Sequence, residues 1–198
     1  MYQENLTALT KLATVLGAAL HERDAYTRQH GDRVMQLALA LGRNVGLESQ
    51  ELGQLHAAAL LHDVGKIGIP DEVLLNPGIL DPAQRAVMRS HAERGEKILR
   101  TIPGEDAARV ADAVRHHHEE FDGGGYPDHL GGEDIPVLAR IIAIVDNYDA
   151  MASHRVYHDS RNHEYVIGIM QDDAGSKHDP YLLGRFMDVI QYSPLRVA

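Results

Sequence analysis

The 198 residues contain no cysteine, which excludes disulfides and thiolate-held metals. A chain without cysteine suits a reducing compartment. Its amino terminus also lacks the charged, apolar and small-residue succession of a secretory signal, so a cytoplasmic location is expected. No apolar run reaches the length that spans a bilayer, and membrane insertion is not expected. Positive charge is also short. With 19 Lys and Arg against 29 Asp and Glu the formal net charge is -10, and no basic stripe offers itself to a phosphate backbone. A nucleic-acid polymer is therefore excluded as a partner, whereas a small anionic substrate is compatible, because bound cations invert the local field. Aromatic residues are sparse, with two phenylalanines and no tryptophan, yet there are thirteen histidines, and they do not form a terminal tag. The length suits one domain, read as 1–198, able to bury a core without covalent staples.

Helical spacing dominates what is there. Leu6, Leu9, Ala13, Leu16 and Leu20 share a face, and residues 1–22 are read as an N-terminal helix or linker that packs on the core or pairs with a second copy. His30, Val34, Leu37 and Leu41 align on the next helix, closed by Gly42 and Gly46. Ser49 is read as the N-cap of a helix whose inward stripe is Leu52, Leu55, Ala59 and His62. Gly65 and Gly68 are read as ending it through backbone angles that other residues resist. Residues 70–80 give one short helical turn and a loop. Asp81-Pro82 then opens a single long helix through Val87, His91 and Ile98. A helix after Gly104 turns Val110, Val114 and His117 inward, and residues 137–152 form an apolar helix interrupted by Asp146 and Asp149. Two last helices cover 162–172 and 180–190. Residues 119–136, rich in glycine, read as an ordered loop that buries Phe121, Tyr126 and Leu130. Period-two alternation is almost absent, so the fold class is all-α.

Seven side chains that could ligate a cation fall at the ends or inner faces of these helices: His30, His62, Asp63, His91, His117, His118 and Asp146. An unpaired carboxylate on an apolar helix is costly, and a buried His beside a buried Asp is costly unless something pairs with both. Facing helices that project imidazoles and carboxylates inward are how bundles build metal sites. Seven ligands are too many for one ion, and two ions bridged by a shared carboxylate would use them all. Nitrogen and oxygen donors without sulfur admit iron, manganese, cobalt, nickel or zinc.

The chain resembles the HD-GYP branch of the HD phosphohydrolase superfamily. The resemblance is carried by His62-Asp63-Val64-Gly65-Lys66-Ile67-Gly68-Ile69-Pro70, and by His117-His118-Glu119 followed by Asp122-Gly123-Gly124-Gly125-Tyr126-Pro127. His30, His91, Asp146 and Arg155 fall in matching contexts, and the likeness runs over about 24–190. It implies a compact multi-helix bundle with the glycine-rich loop at the site mouth, and phosphodiesterase activity on cyclic di-GMP giving linear pGpG and then GMP. By the same resemblance His30, His62, Asp63 and Asp146 hold one divalent metal. Asp63, His91, His117 and His118 hold the second, with Asp63 bridging. Iron or manganese is the expected occupant, ahead of nickel, cobalt or zinc. A hydroxide shared by two cations is the natural nucleophile. Lys66 is placed to hold a phosphate oxygen or protonate the leaving 3′ oxygen, and Gly125, Tyr126, Arg155 and His158 to line the substrate site.

Three positions depart from the family pattern. Tyr26 stands where some members carry a Glu supporting a third metal, so two metals are expected. His158 stands where some relatives have a substrate-contacting Lys, which makes phosphate affinity weaker or pH-dependent. His154 and Val156 replace the Asp and Pro that commonly flank Arg155. Two alternatives stay open: an HD phosphohydrolase acting on another nucleotide such as cyclic GMP-AMP, and a module that binds nucleotide or protein without turnover. A homodimer through the first helix and a sensor or signalling partner at the glycine-rich loop complete the expectations.

Overall fold

The computed structural model describes residues 2–21, 27–152 and 162–197. Tyr26 and residues 153–161, which include Arg155 and His158, lie outside the described residues. Among the described residues ten α-helices follow in order: α1 (Tyr2–His21), α2 (Thr27–Asn44), α3 (Ser49–Leu61), α4 (Asp71–Leu74), α5 (Pro82–Arg89), α6 (His91–Leu99), α7 (Glu105–His116), α8 (Val137–Ala152), α9 (His163–Asp172) and α10 (Pro180–Ile190). Short 3-10 turns cover Val64–Gly68 and Gly132–Asp134. Among the described residues there is no strand, and one isolated bridge joins Ala174 to His178. The all-α reading holds.

The core is aliphatic, with α8 running through it. Ile141, Ile142, Ile144 and Val145 of that helix have no exposed surface. They pack among Val34, Leu37 and Leu41 of α2, Leu55 and Ala59 of α3, Val110 and Val114 of α7, and Phe186 of α10. Leu9, Ala13 and Leu20 bury one face of α1 against this core. Fully burying a Leu, Ile or Val side chain is worth roughly 1.5–3 kcal/mol, so this stripe fixes which face of α8 looks inward. Local signals start the helices where the chain turns. Asp81 accepts from Gln84 N at 2.8 Å while Gln84 Oε1 accepts from Asp81 N at 3.1 Å, with Pro82 in the first turn of α5. Asp179 does the same work for α10, accepting from Tyr181 N and Leu182 N.

Three expectations need correction. The N-cap of α3 is Glu48 rather than Ser49, and the Glu51 carboxylate accepts from Glu48 N at 2.9 Å. The long helix opened by Asp81 is two, because the chain bends at Ser90. There the hydroxyl bonds Val87 O at 2.6 Å and the backbone N–H is shared between Ala86 O and Val87 O. The bend lets α5 stay at the surface while α6 packs on α7 and the 64–68 turn. Finally, Gly65 and Gly68 do not adopt left-handed angles. Gly65 is required by close approach instead: a Cβ there would strike His91 O and come within 2.6 Å of Gly95 N.

Candidate metal centre

Helix ends place the site. His62 and Asp63 follow the last residue of α3, His91 begins α6, His117 and His118 follow α7, and Asp146 projects from the third turn of α8. His30 comes from the first turn of α2. The last turn of any helix leaves carbonyls without intrahelical partners. In three cases the imidazole supplies the missing donor: His62 Nδ1 to Ala59 O at 2.8 Å, His91 Nδ1 to Met88 O at 2.8 Å, and His117 Nδ1 to Val114 O at 2.6 Å. With Nδ1–H committed to a carbonyl, each neutral ring keeps its lone pair on Nε2. One contact thus satisfies a helix end and sets the tautomer of a potential ligand.

Those Nε2 atoms converge. His91 Nε2 lies 3.3 Å from His117 Nε2, and the two Asp63 oxygens lie 3.5 Å from His91 Nε2 and 3.5 Å from His62 Nε2. Asp63 therefore sits between two groups, one of His30 and His62 and the other of His91, His117 and His118. Asp146 Oδ1 is 3.0 Å from His30 Nε2 and 3.9 Å from His62 Nε2. His30 Nδ1 bonds Asp149 Oδ2 at 2.7 Å, and Asp149 is held in turn by the Arg33 guanidinium at 2.6 and 2.9 Å. A carboxylate behind an imidazole orients the ring and raises its basicity as a ligand. Lys66 Nζ donates to Asp63 Oδ2 at 2.7 Å.

Protonation follows from these neighbours. Burial holds His117 well below the usual imidazole range, with the adjacent His118 and His91 adding to the effect. Burial and His91 likewise push His118 down to about 3. Burial opposes charge on His30 too, but the hydrogen bonds to Asp146 and Asp149 outweigh it and raise the group to about 10. Burial also disfavours the Asp63 carboxylate, yet Lys66, His62 and His91 keep it well below the carboxylate range. Neutral imidazoles at His117 and His118 thus face ionised carboxylates, while His30 keeps its proton between Asp146 and Asp149.

All seven expected residues are brought to one place, although His118 is only half-buried. Its ring is stacked by Tyr126, centroids 4.9 Å apart, and the Arg89 guanidinium lies 4.9 Å from the Tyr126 ring centre. Gly125 packs its backbone against His118 and Glu119, leaving no room for a Cβ. Two buried carboxylates were not singled out from the sequence. Asp149 had a signal, three residues after Asp146 on the same apolar helix. Glu119 organises the glycine-rich loop by accepting from Asp128 N at 2.7 Å and Leu130 N at 3.2 Å. A third cluster, His116, Glu119 and Asp128, is already committed, since Arg115 and His116 bind Asp128 and the loop amides occupy Glu119.

The residues fit a divalent cation. His62 Nε2 is buried with no hydrogen-bond partner, and His91 Nε2 and His117 Nε2 present lone pairs to each other across 3.3 Å. Both arrangements are unfavourable without a cation to accept the lone pairs.

Residues 14–182 match the HD domain family. The chain is 33% identical over 179 residues to a cyclic di-GMP phosphodiesterase of Thermotoga maritima, covering 90% of this chain and 49% of that protein. It is 36% identical over 168 residues to a 3′3′-cGAMP-specific phosphodiesterase of Vibrio cholerae, covering 85% and 32%. The chain thus spans half or less of the length of these relatives. A solved cyclic GMP-AMP-specific phosphodiesterase of V. cholerae superposes with a TM-score of 0.70 at 18% identity, over 93% of this chain and 49% of that one, a likeness of fold. Among the described residues no helix is long and apolar enough to cross a membrane.

Proposed function

This chain belongs to the HD domain family, and we propose that it is a metal-dependent phosphodiesterase that hydrolyses cyclic di-GMP to linear pGpG and onward to GMP. The observation that carries the reading is the position of Asp63, its two oxygens 3.5 Å from imidazole nitrogens of two separate histidine groups. That is the placement a bridging carboxylate needs. His30, His62, Asp63 and Asp146 would hold one ion, and Asp63, His91, His117 and His118 the other, with iron or manganese the best-matched occupants. Two bound divalent cations would neutralise phosphate charge and lower the pKa of water to supply a nucleophile near neutral pH.

The chain's own side chains do the rest. The 62–63 pair, set by the end of α3, orients the ring of His62 through Ala59 O. Arg33 and Asp149 hold His30 from behind. Lys66, an ammonium 2.7 Å from Asp63, would hold a phosphate oxygen or protonate the departing 3′ oxygen. Tyr126, stacked on His118, and the backbone of Gly125 form a wall beside it. Arg155 and His158 are assigned to the substrate phosphates by the resemblance alone. Leu12 and Val15, exposed on α1, support the first helix as the homodimer contact, and the glycine-rich loop is assigned as the face for a signalling partner.

The relatives' names include both cyclic di-GMP and 3′3′-cGAMP phosphodiesterases, so cyclic GMP-AMP is the second substrate to try. The test is to incubate the manganese- or iron-loaded chain with cyclic di-GMP, cyclic GMP-AMP and cyclic di-AMP, and to resolve the products by chromatography. Linear dinucleotide from cyclic di-GMP, absent with Asp63→Ala, is the expected result. No hydrolysis of any of the three by freshly loaded protein overturns the reading.

A further inference from the structure

One cleft of about 330 Å³ is lined in part by the cluster of imidazoles and carboxylates, and others of its lining residues have no assigned role. His117, His118 and Asp146 line it together with Glu120, Asn147 and His178. The segments that carry Glu120 and His178 are tied together, since Phe121 N and Asp122 N bond the carbonyls of Lys177 and Ser176 and join the glycine-rich loop to the turn before α10. Lys177 also lines the cleft, but its ammonium is paired with Asp173 at 2.8 Å.

The three remaining side chains carry unused hydrogen-bonding capacity. His178 is 3% exposed. Asn147 Nδ2 donates to its Nε2 at 2.9 Å, which puts the ring proton on Nδ1, and that buried atom has no partner. Burial keeps the ring neutral, its pKa lowered to about 4. Among the described residues the Glu120 carboxylate makes no hydrogen bond or ion pair, and Asn147 Oδ1 has no donor. An unused carboxylate and an unused amide oxygen in a cleft that reaches the candidate ligands are convergent polar groups of the kind a ligand site presents.

We infer that Glu120, Asn147 and His178 form a base-reading subsite for guanine, an inference that rests on the cyclic dinucleotide reading above. The Watson–Crick edge of guanine presents two neighbouring N–H donors, N1 and the 2-amino group, beside the O6 acceptor. Glu120 offers two acceptor oxygens for the donors and Asn147 Oδ1 a third acceptor, while the enclosed His178 ring holds the Asn147 amide in place through Nε2. Adenine presents one amino donor beside the N1 lone pair. A carboxylate oxygen facing that lone pair is repelled, so the same side chains that accept guanine reject adenine. The cleft lies at the small end of ligand sites, which suits one nucleotide of a dinucleotide whose phosphates would face His117, His118 and Asp146.

The test is calorimetric binding of 5′-GMP, 5′-IMP and 5′-AMP to the manganese-loaded full chain and to its Glu120→Gln variant. All three ligands carry the same phosphate, so a change in overall charge moves them together, whereas the base contacts do not. A hydrogen bond to a charged group corresponds to roughly ten- to a hundredfold in affinity, so GMP should exceed both IMP, which lacks the 2-amino group, and AMP by about that factor. Glu120→Gln should cut the GMP-to-IMP ratio at least roughly tenfold. Equal affinity of the wild type for the three nucleotides, or ratios unchanged in Glu120→Gln, overturns the subsite while leaving hydrolysis of cyclic dinucleotides standing. No nucleotide bound and no cyclic dinucleotide cleaved overturns both.

Discussion

Adding one methyl group at Gly65 should dismantle the site without replacing a proposed ligand. The Cβ of Gly65→Ala would collide with His91 O and lie 2.6 Å from Gly95 N, both backbone atoms that cannot swing away. Ordinary contact begins near 3.4 Å, so α6 must retreat by about 0.8 Å from Gly95 and by more at His91. Overpacking costs typically about 1–3 kcal/mol, and backbone collision belongs at the upper end. For a chain of this size about 3 kcal/mol lowers the melting temperature by roughly 6–12 °C. The retreat also carries His91 Nε2 away from Asp63 Oδ1 and His117 Nε2, now 3.5 and 3.3 Å distant, whereas metal-ligand distances tolerate only about ±0.2 Å. Gly68→Ala is the control, because its Cβ would meet only the Arg94 side chain, which can move. The assay is thermal unfolding with and without added manganese, together with metal content after desalting. Gly65→Ala should melt well below Gly68→Ala and lose its metal-dependent stabilisation. If the two variants melt together and bind metal alike, the close approach does not hold His91 in place and the reasoning fails.

Three further outcomes follow from buried carboxylates. His30, raised to about 10, holds its proton at pH 7–8 in the metal-free protein, so a cation taking its Nε2 must expel that proton. Metal affinity should rise with pH, with close to one proton released from this group, read by calorimetry in buffers of different ionisation enthalpy. Asp149→Asn should weaken metal binding by roughly 10–100-fold by loosening that ring, and unchanged affinity would show that Asp149 does not act through His30. Glu119→Ala strips Asp128 N and Leu130 N of their acceptor, at a cost of about 1–3 kcal/mol. Limited proteolysis should then cut within residues 120–135, where the wild type resists; equal resistance would mean that other contacts order the loop.

How much of this was legible in the sequence varies by residue and for physical reasons. His62 and Asp146 showed themselves because a polar group on an apolar helical stripe must be paired, and helical spacing survives in one dimension. The helices around them were legible for the same reason, down to the bounds of α8 and α10. The bend at Ser90 was not, because α5 and α6 each keep helical periodicity and the break depends on what α6 packs against. Gly65 was noticed but explained wrongly: its need arises from His91 and Gly95, close in space and remote in sequence. Asp149 and Glu119 escaped because their roles lie in what they hold, a ring on α2 and two loop amides. Glu120, Asn147 and His178 come from three segments and share no pattern until the fold closes the cleft.

The whole account rests on buried imidazoles and carboxylates from separate helices caging divalent cations around Asp63. Counting the metal that stays with the purified protein, by elemental mass spectrometry on wild type and Asp63→Ala side by side, tests this most directly. About two ions per chain in the wild type and a loss of most of that content in Asp63→Ala is the result expected of a bridging carboxylate. A wild type that retains no divalent metal after loading, or a variant that retains as much as the wild type, contradicts it.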